Sequence, residues 1–227
     1  MRSIWPKDER KDLYKDLQRR ISQKIILEGP KTLLKILLAL DVSYRKGFAY
    51  VSAVQWHIER ACAIRIYLLR MRWSMPYISG MFFIRELPPI VKIVRTFSIN
   101  FDLLLLNAAG IAHREGIGLA SHAGLYFKKT SVGITERVPY GYYREPSLKR
   151  GSFSPLYNKR KEIIGYVYRT QDYVKPIFIT PGHLIDAKNA FYIMQKLPYF
   201  SRFPEPLRLA DIYSKKEFEK EIKEGCS

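Results

Sequence analysis

The sequence predicts an α/β domain in which helices flank a mixed β-sheet, an antiparallel meander followed by parallel strands. Between residues 31 and 73, three stretches rich in aliphatic, β-branched and aromatic residues are separated by short polar links, as in a meander. After Pro76, strand-like and helix-like segments alternate, as in βαβ units with parallel strands. Because 47% of the 227 residues are hydrophobic, we expect residues 1–227 to form one domain with a sizeable core.

A basic amphipathic helix is predicted over residues 7–28, because apolar side chains recur there at helical spacing among lysines and arginines. Gly29-Pro30 ends this N-terminal region, residues 1–30. In the meander, the link Arg45-Lys46-Gly47 is predicted to be a tight turn, since glycine accepts a positive φ. The strands of the meander are predicted at residues 31–44, 48–56 and 61–73.

The second half of the chain is predicted to alternate between helices and strands. Residues 83–94 form a helix in this interpretation, with Pro88-Pro89 near its start or at a kink. Residues 138–160, rich in Pro, Gly, Ser, Tyr and Arg, are predicted to be a basic aromatic loop, and the charged tail, residues 214–227, a short helix. Further strands are predicted at 102–107, 130–134, 162–170 and 175–180, and further helices at 117–127 and 186–197.

The net charge of +18, from 39 Lys and Arg against 21 Asp and Glu, predicts a polyanionic partner. Nucleic acid is the first candidate and an anionic membrane surface the second. No apolar run approaches the roughly 18 residues of a membrane span, and no signal peptide is visible. The two cysteines, Cys62 and Cys226, argue against a disulfide framework and a cysteine-based zinc site. We therefore expect a soluble cytoplasmic protein.

Two acidic residues stand in apolar surroundings. Asp41 follows the run Leu37–Leu40, and Glu86 lies between Met81 and Leu87 among aromatic and aliphatic residues. A carboxylate in such a place is destabilising unless a cation satisfies it, and a metal ion would do so. The alternatives are a strand-end acid that caps the following turn and a helix acid that faces solvent.

Other residues suggest contact with nucleic acid. Tyr77 stands in a turn between Pro76 and Gly80, where an exposed ring is able to stack on a base or wedge into a duplex; ordinary packing is the alternative. Asn107 ends a buried strand of four leucines, and the carboxyl ends of such strands are where open α/β sheets place ligands. The glycines and histidines that follow Asn107 are further candidates, as is the segment Thr180–His183 at the end of another strand. For all of them the alternatives are turn chemistry and structural hydrogen bonding. These glycines and histidines are Gly110, His113, Gly116, Gly118, His122 and Gly124.

Taken together, these segments resemble the endonuclease V family, the deaminated-base repair nucleases with a ribonuclease-H-like fold. The matching stretches occur in the family's order from about residue 15 to 215, so the resemblance covers most of the chain. They are LDVSY (40–44), PYISGMFFIRELP (76–88), GIAHREGIGLASHAG (110–124), KPIFITPGH (175–183) and PEPLRLADIY (204–213). Each is weak alone, and five in sequence are a specific signal.

The resemblance implies a Mg²⁺-dependent nuclease, with Mn²⁺ as a possible substitute, that cuts the second phosphodiester bond 3′ to a deaminated purine such as hypoxanthine. DNA is the implied partner, RNA remains open, and a monomer is expected. Asp41 and Glu86 fall on catalytic and metal-holding positions, with Asn107 on a third metal position. The other implied site residues are Tyr77, Ile78 and Gly80 as the wedge, Gly80, Ala108, Gly110, His113 and Gly118 as the base pocket, and His122, His183 and Asp211 as further motif positions.

Two departures from the family pattern bear on cleavage. Asn107-Ala108 replaces an aspartate and a glycine, and Glu136 replaces a lysine at the end of Gly133–Glu136; Ser79 also replaces a proline in the wedge segment. A unit charge at ~4 Å contributes about 4 kcal/mol at an effective dielectric of 20, which is about three decades in rate. Either the protein cleaves, slowly or with altered substrate choice, or it is a degenerate homologue that binds without cutting. Glu115 or Glu136 would restore the missing charge if either turned inward; a basic structural protein on an anionic surface is the third alternative.

Overall fold

The computed structural model describes residues 8–73, 75, 81–137, 140–216 and 220–223. These residues form one mixed β-sheet flanked by helices, as predicted. The helices are α1 (Asp8–Ser22), α2 (Phe82–Thr96), α3 (Leu119–Phe127), α4 (Ala187–Gln195) and α5 (Glu205–Ser214). The strands are β1 (Ile36–Arg45), β2 (Phe48–His57), β3 (Cys62–Arg72), β4 (Leu103–Leu106), β5 (Thr130–Thr135), β6 (Tyr142–Tyr143), β7 (Phe153–Tyr157), β8 (Ile163–Tyr168), β9 (Ile177–His183) and β10 (Lys220–Lys223).

The predicted antiparallel meander is confirmed. β1, β2 and β3 pair as neighbours, with Arg45 opposite Phe48 across a two-residue turn. Lys46 and Gly47 in this turn have φ angles of 48° and 77°. Two positive φ angles match the right-handed twist of the flanking strands, which is why this link closes a hairpin.

The rest of the sheet follows the order β10-β3-β2-β1-β4-β5-β9-β8-β7-β6. β4 lies parallel to both β1 and β5, and this parallel group is the centre of the sheet. β9 runs antiparallel to β5, so the strand predicted at 175–180 does not continue the parallel group. It also extends through Pro181-Gly182 to His183, where the sequence predicts a turn.

The four leucines of β4 are buried on both faces of the sheet. Leu103 and Leu105 pack into the cluster under α4 and α5, whereas Leu104 and Leu106 pack into the cluster under α2 and α3. Each of the four is at most 1% exposed. A central strand covered by helices on both sides has no polar face, and this explains the continuous apolar run.

Helix α1 is shorter than predicted, since it ends at Ser22 and not near residue 28. The main chain of Ile26 accepts a hydrogen bond from Leu184 N and donates one to Nδ1 of His183. These bonds tie the segment after Ser22 to the end of β9, and a helix continuing through Ile26 would not make them. The buried face of α1 also differs from the apolar stripe: Leu13 and Leu17 are exposed, whereas Gln18 is buried.

Three regions of the chain form elements that the sequence does not predict. Residues 138–160, predicted as a loop, contain β6 and β7, and β7 pairs with β8. The tail, predicted as a helix, contributes β10, which pairs with β3. In both places an exposed strand edge offers unpaired backbone groups, and pairing satisfies them. The motif at residues 204–213 forms most of α5. Cys62 is disulfide-bonded, although the sequence argues against a disulfide framework.

None of the helices in the described ranges is both long enough and apolar enough to cross a bilayer.

Candidate active site

The register of the central strands brings Asp41 and Asn107 together. Leu40 in β1 lies opposite Leu106 in the parallel strand β4, so the next residue of each chain segment falls at the same edge of the sheet. The Asn107 amide is within hydrogen-bonding reach of the Asp41 carboxylate, a contact that favours the charged carboxylate. This adjacency is the one that the resemblance implies.

Asp41 is also contacted by helix α5. Ser214 Oγ donates a 2.6 Å hydrogen bond to Oδ2 of Asp41, and Asp211 lies near enough for its charge to act on Asp41. Burial raises the pKa of Asp41 above its ordinary value, the Ser214 hydrogen bond opposes that rise, and the negative charge of Asp211 adds to it. Lys215 Nζ lies 2.7 Å from Oδ2 of Asp211. Asp41 is therefore a partly buried acid, positioned by a hydroxyl and lying beside a second acid.

Glu86 reaches the same site from helix α2, where it is only 5% exposed. Burial raises the pKa of Glu86 to about 8; a hydrogen bond with Tyr44 opposes the shift, and the negative charge of Asp41 raises the pKa further. The charge interaction between Glu86 and Asp41 places both carboxylates in one site. The neighbouring cation, Arg85, stacks its guanidinium 3.8 Å from the centre of the Tyr44 ring.

This pair of acids fits a divalent cation. Each carboxylate is buried enough to disfavour its charged form, and the charge of Asp41 raises the pKa of Glu86. The nearby Lys215 and Arg85 are engaged with Asp211 and Tyr44. A hard cation takes oxygen ligands of this kind and would neutralise both charges. Within the described ranges, no group of three or more His, Cys, Asp and Glu side chains is arranged to hold a metal, and the side chain at residue 107, beside Asp41, is an amide.

A pocket of about 620 Å³ opens beside Asn107. Of the residues that the resemblance assigns to a base pocket, Ala108, His113 and Gly118 line it. The pocket lies between the start of α2, the loop that follows β4, the start of α3 and the residues after β5. Its wall also includes Phe82, Phe83, Glu136, Arg137 and, from α1, Gln18.

Gly110, which the resemblance assigns to the base pocket, is not among the residues that line this pocket. A Cβ at this position would lie 2.0 Å from the carbonyl oxygen of Pro181. Gly110 N donates to Oγ1 of Thr180 at 2.8 Å, and Ile111 N donates to Pro181 O at the same distance. Only glycine allows the loop after β4 to approach β9 this closely.

The three motif histidines differ in their surroundings. His113 is on the pocket wall, and its Nδ1 accepts a hydrogen bond from Glu115 N. His122 is buried and stacks on Phe83 with ring centres 3.9 Å apart, and burial lowers its pKa to about 4. His183 accepts from the main chain of Ile26. His183 thus fits the structural alternative, whereas the buried Nε2 of His122 has no hydrogen-bond partner among the described residues.

Glu115 and Glu136, the two acids that would compensate for the missing charge at Asn107, are each engaged by an arginine. Glu115 is buried and pairs with Arg19 of α1, with Arg19 Nε 2.6 Å from its carboxylate. Glu136 lines the pocket with a half-exposed side chain and lies 3.8 Å from Arg202. The negative charge of Asp211 does act on Asp41. The sequence alone gives little reason to assign Asp211 to the site.

Tyr77, Ile78 and Gly80, the wedge residues of the resemblance, lie outside the described residues. The described chain resumes at Met81, which is buried and precedes α2. The sequence-based prediction also missed Gln18, Tyr44 and Ser214. The only signal for Gln18 is a polar residue among apolar ones at helical spacing, and Ser214 lies one residue beyond its motif.

A family model described as endonuclease V matches residues 17–212. Endonuclease V of Dictyoglomus thermophilum is 37% identical over 209 residues, which cover 91% of this chain and 90% of that protein. The crystal structure of endonuclease V from Streptomyces avermitilis has a TM-score of 0.80 at 26% identity, with 95% of each chain covered. A crystal structure of endonuclease V from Ciona intestinalis contains a 24mer DNA with an inosine followed by a ribo-adenosine. It has a TM-score of 0.79, and the match covers 92% of this chain and 97% of that chain. At 20% identity, this likeness shows the fold alone.

Proposed function

The chain belongs to the endonuclease V family of metal-dependent nucleases, and from this premise we propose that it recognises deaminated purines in nucleic acid and hydrolyses the second phosphodiester bond on their 3′ side with Mg²⁺. The observation that carries the proposal is the pair of buried, charge-coupled acids, Asp41 and Glu86, beside a pocket. Mn²⁺ is a chemically equivalent hard cation and is expected to substitute.

The pocket supports base recognition. Enzymes that act at one base of a duplex take that base out of the stack and hold it in a shaped pocket. The volume of about 620 Å³ falls within the range of roughly 300–1,000 Å³ that is usual for small-ligand sites. Apolar wall residues such as Phe82, Ala112 and Ile117 suit the faces of a purine ring, and polar groups remain to read its edge. The Ciona relative's inosine-containing DNA is a ligand of the chemistry that this pocket would take.

Asp41 and Glu86 would hold the cation, with the Asn107 carbonyl as a neutral third oxygen. The bound cation would supply activation of water and neutralisation of the charge that develops on the phosphate and the leaving oxygen. The chain's own groups orient the acids: Ser214 donates to Asp41. The hydroxyl of Tyr44, from strand β1, lies within hydrogen-bonding reach of Glu86 and donates to Arg85 O at 3.0 Å. Both carboxylates are held in place before substrate arrives, which lowers the entropic cost of the reaction.

The net charge of +18 supports a nucleic-acid substrate without selecting DNA or RNA. Lys and Arg neutralise phosphates whatever the sugar, and selection between the two would require contacts to the 2′-hydroxyl.

A second candidate function is binding without cleavage, and Asn107 is the observation that favours it. An amide contributes no negative charge where the family pattern has an aspartate, so Asp41 and Glu86 lack the acid that the pattern places at residue 107; Asp211, on α5, is a further acid near Asp41. Recognition and backbone contact do not need that charge, so the pocket and the basic surface would remain functional.

Cleavage of a labelled duplex with a single inosine, and of its RNA counterpart, tests the proposal with Mg²⁺ and with Mn²⁺. A cut one nucleotide beyond the inosine that disappears in Glu86→Gln supports the nuclease. Inosine-selective binding with no cut, converted to cutting by Asn107→Asp, supports the second candidate. Equal binding to inosine-containing and unmodified strands contradicts both.

A further inference from the structure

Gln18 places an unsatisfied polar atom at the pocket. Its side chain is 1% exposed, it lines the pocket from helix α1, and its Oε1 has no hydrogen-bond partner among the described residues. A buried carbonyl oxygen without a partner is destabilising, and proteins rarely keep one unless a ligand satisfies it. No motif of the sequence includes this residue.

The position of Gln18 is fixed by its neighbours in α1. Arg19 Nε lies 2.6 Å from the buried carboxylate of Glu115, and Ser22 lies against Gly116, where a Cβ would be 3.6 Å from Ser22 Oγ. These contacts seat α1 on the loop of residues 113–116 that carries His113. Gln18 is therefore held by a docked helix, and it is positioned independently of the carboxylate pair.

His113 supplies a donor on the same pocket wall. Its Nδ1 accepts a hydrogen bond from Glu115 N at 3.2 Å. A neutral imidazole that accepts at Nδ1 carries its hydrogen on Nε2 and donates there. Burial lowers the pKa of His113, so the ring is neutral near pH 7 and this tautomer is retained. The wall thus offers one acceptor, from Gln18, and one donor, from His113.

This pair matches the edge of hypoxanthine. That base has a hydrogen-bond donor at N1–H beside an acceptor at O6, whereas adenine has an acceptor at N1 beside the donor N6 amino group. We propose that Gln18 is a specificity-determining residue whose Oε1 accepts from N1–H of hypoxanthine while His113 donates to O6. The inference rests on the proposed function, since it requires that the pocket take a flipped base. A site that buries such groups rejects a base that leaves them unpaired.

The test measures the binding of fluorescent single strands that carry one hypoxanthine, one adenine or one unsubstituted purine at the same position. Adenine and unsubstituted purine bear no hydrogen on N1. EDTA in the buffer removes divalent cations, so that no cleavage proceeds. Wild type is expected to prefer hypoxanthine. Gln18→Met, similar in shape but without polar atoms, is expected to reduce that preference about 10- to 100-fold. Gln18→Glu, which keeps an acceptor oxygen, is expected to retain most of the preference. Gln23→Met, on an exposed glutamine, is the matched control and is expected to behave as wild type.

The outcomes separate the two claims. If wild type shows no preference for hypoxanthine, the proposed function fails. If wild type prefers hypoxanthine and Gln18→Met keeps the full preference, the assignment of Gln18 fails and the proposed function stands. Circular dichroism checks folding, and if Gln18→Met unfolds, Gln18→Asn decides in its place, because it withdraws the same oxygen by one methylene and is expected to lose the preference.

Discussion

Glu86, which would hold the cation in the proposed function, is a residue whose negative charge is unfavourable in the folded protein. A carboxyl whose pKa in the folded protein is about 8, against an ordinary 4.5, is favoured in its protonated form. The stabilisation that this form gives is fully present below about pH 4.5 and is lost as pH rises toward 8, because the unfolded chain then releases its proton first. A bound cation would remove this penalty by favouring the charged form.

Glu86→Gln is therefore expected to abolish cleavage and to raise the free energy of unfolding in alkaline, metal-free buffer. The gain at pH 9 is on the order of 3–5 kcal/mol, since one pKa unit corresponds to about 1.4 kcal/mol. Urea denaturation of both proteins from pH 4 to pH 9 measures it. Curves that stay parallel across this range would contradict the assigned burial of Glu86.

Asn107→Asp is expected to raise the cleavage rate at saturating Mg²⁺ by up to about a thousandfold, because it restores a unit negative charge to the oxygens that would hold the cation. In metal-free buffer the same change is expected to lower stability, since it adds a further acid beside Asp41, Glu86 and Asp211. Asn100→Asp, at an exposed position, adds the same charge elsewhere and serves as the control. Single-turnover cleavage measures the effect, and an unchanged rate would show that the amide is not the limitation.

His122 gives a pH dependence of the opposite sign. Its pKa in the folded protein is about 4, below the ordinary 6.5, so the neutral ring is favoured. Stability from this residue is present above about pH 6.5 and is lost as pH falls toward 4, by roughly 3 kcal/mol. His122→Phe keeps the stack on Phe83 and does not titrate, so the difference between the two unfolding free energies is expected to grow on acidification. A constant difference would contradict the assignment.

At the scale of elements, local patterns predict what local physics decides. The run of four leucines in β4 marks a strand covered on both faces, and Lys46-Gly47 marks the hairpin turn because its backbone demands positive φ. The strands of the meander are predictable for the same reason, because their aliphatic and aromatic runs are local patterns. The convergence of Asp41 and Glu86, by contrast, was expected from motif resemblance, since the two residues lie on different elements.

The elements that sequence did not predict depend on partners distant in the chain. β10 forms because the edge of β3 accepts it, although the charged sequence of the tail favours a helix in isolation. Helix α1 stops at Ser22 because Ile26 bonds to residues 183 and 184. The buried place of Gln18 follows from the docking of α1 through Arg19 and Glu115, which helical periodicity does not reveal. Local propensity carries no information on such pairings.

Leu105→Ala tests the two-sided burial of β4. The side chain is fully buried, so its truncation is expected to lower the free energy of unfolding by about 2–5 kcal/mol. Leu33→Ala, at a side chain that is 67% exposed, is the control and is expected to change it by less than about 0.5 kcal/mol. Chemical denaturation compares the two, and similar losses would contradict the described packing.

At the scale of the whole molecule, the sheet order places the ends of β1, β4 and β5 at one edge, and α1, α2 and α5 bring their side chains to that edge. The acids, the pocket and the docked N-terminal helix form one contiguous site on a strongly basic protein. In the proposed function, base recognition and phosphate chemistry use separate parts of the same edge, so substitutions are expected to weaken one and spare the other.

The central claim is that Asp41 and Glu86 together bind a divalent cation beside the pocket. Anomalous diffraction from crystals soaked in Mn²⁺ measures this most directly. A peak in contact with both carboxylates, absent in crystals of Glu86→Gln, is the expected result. A soaked crystal with no peak at these two side chains, while Mn²⁺ binds elsewhere, would contradict the account.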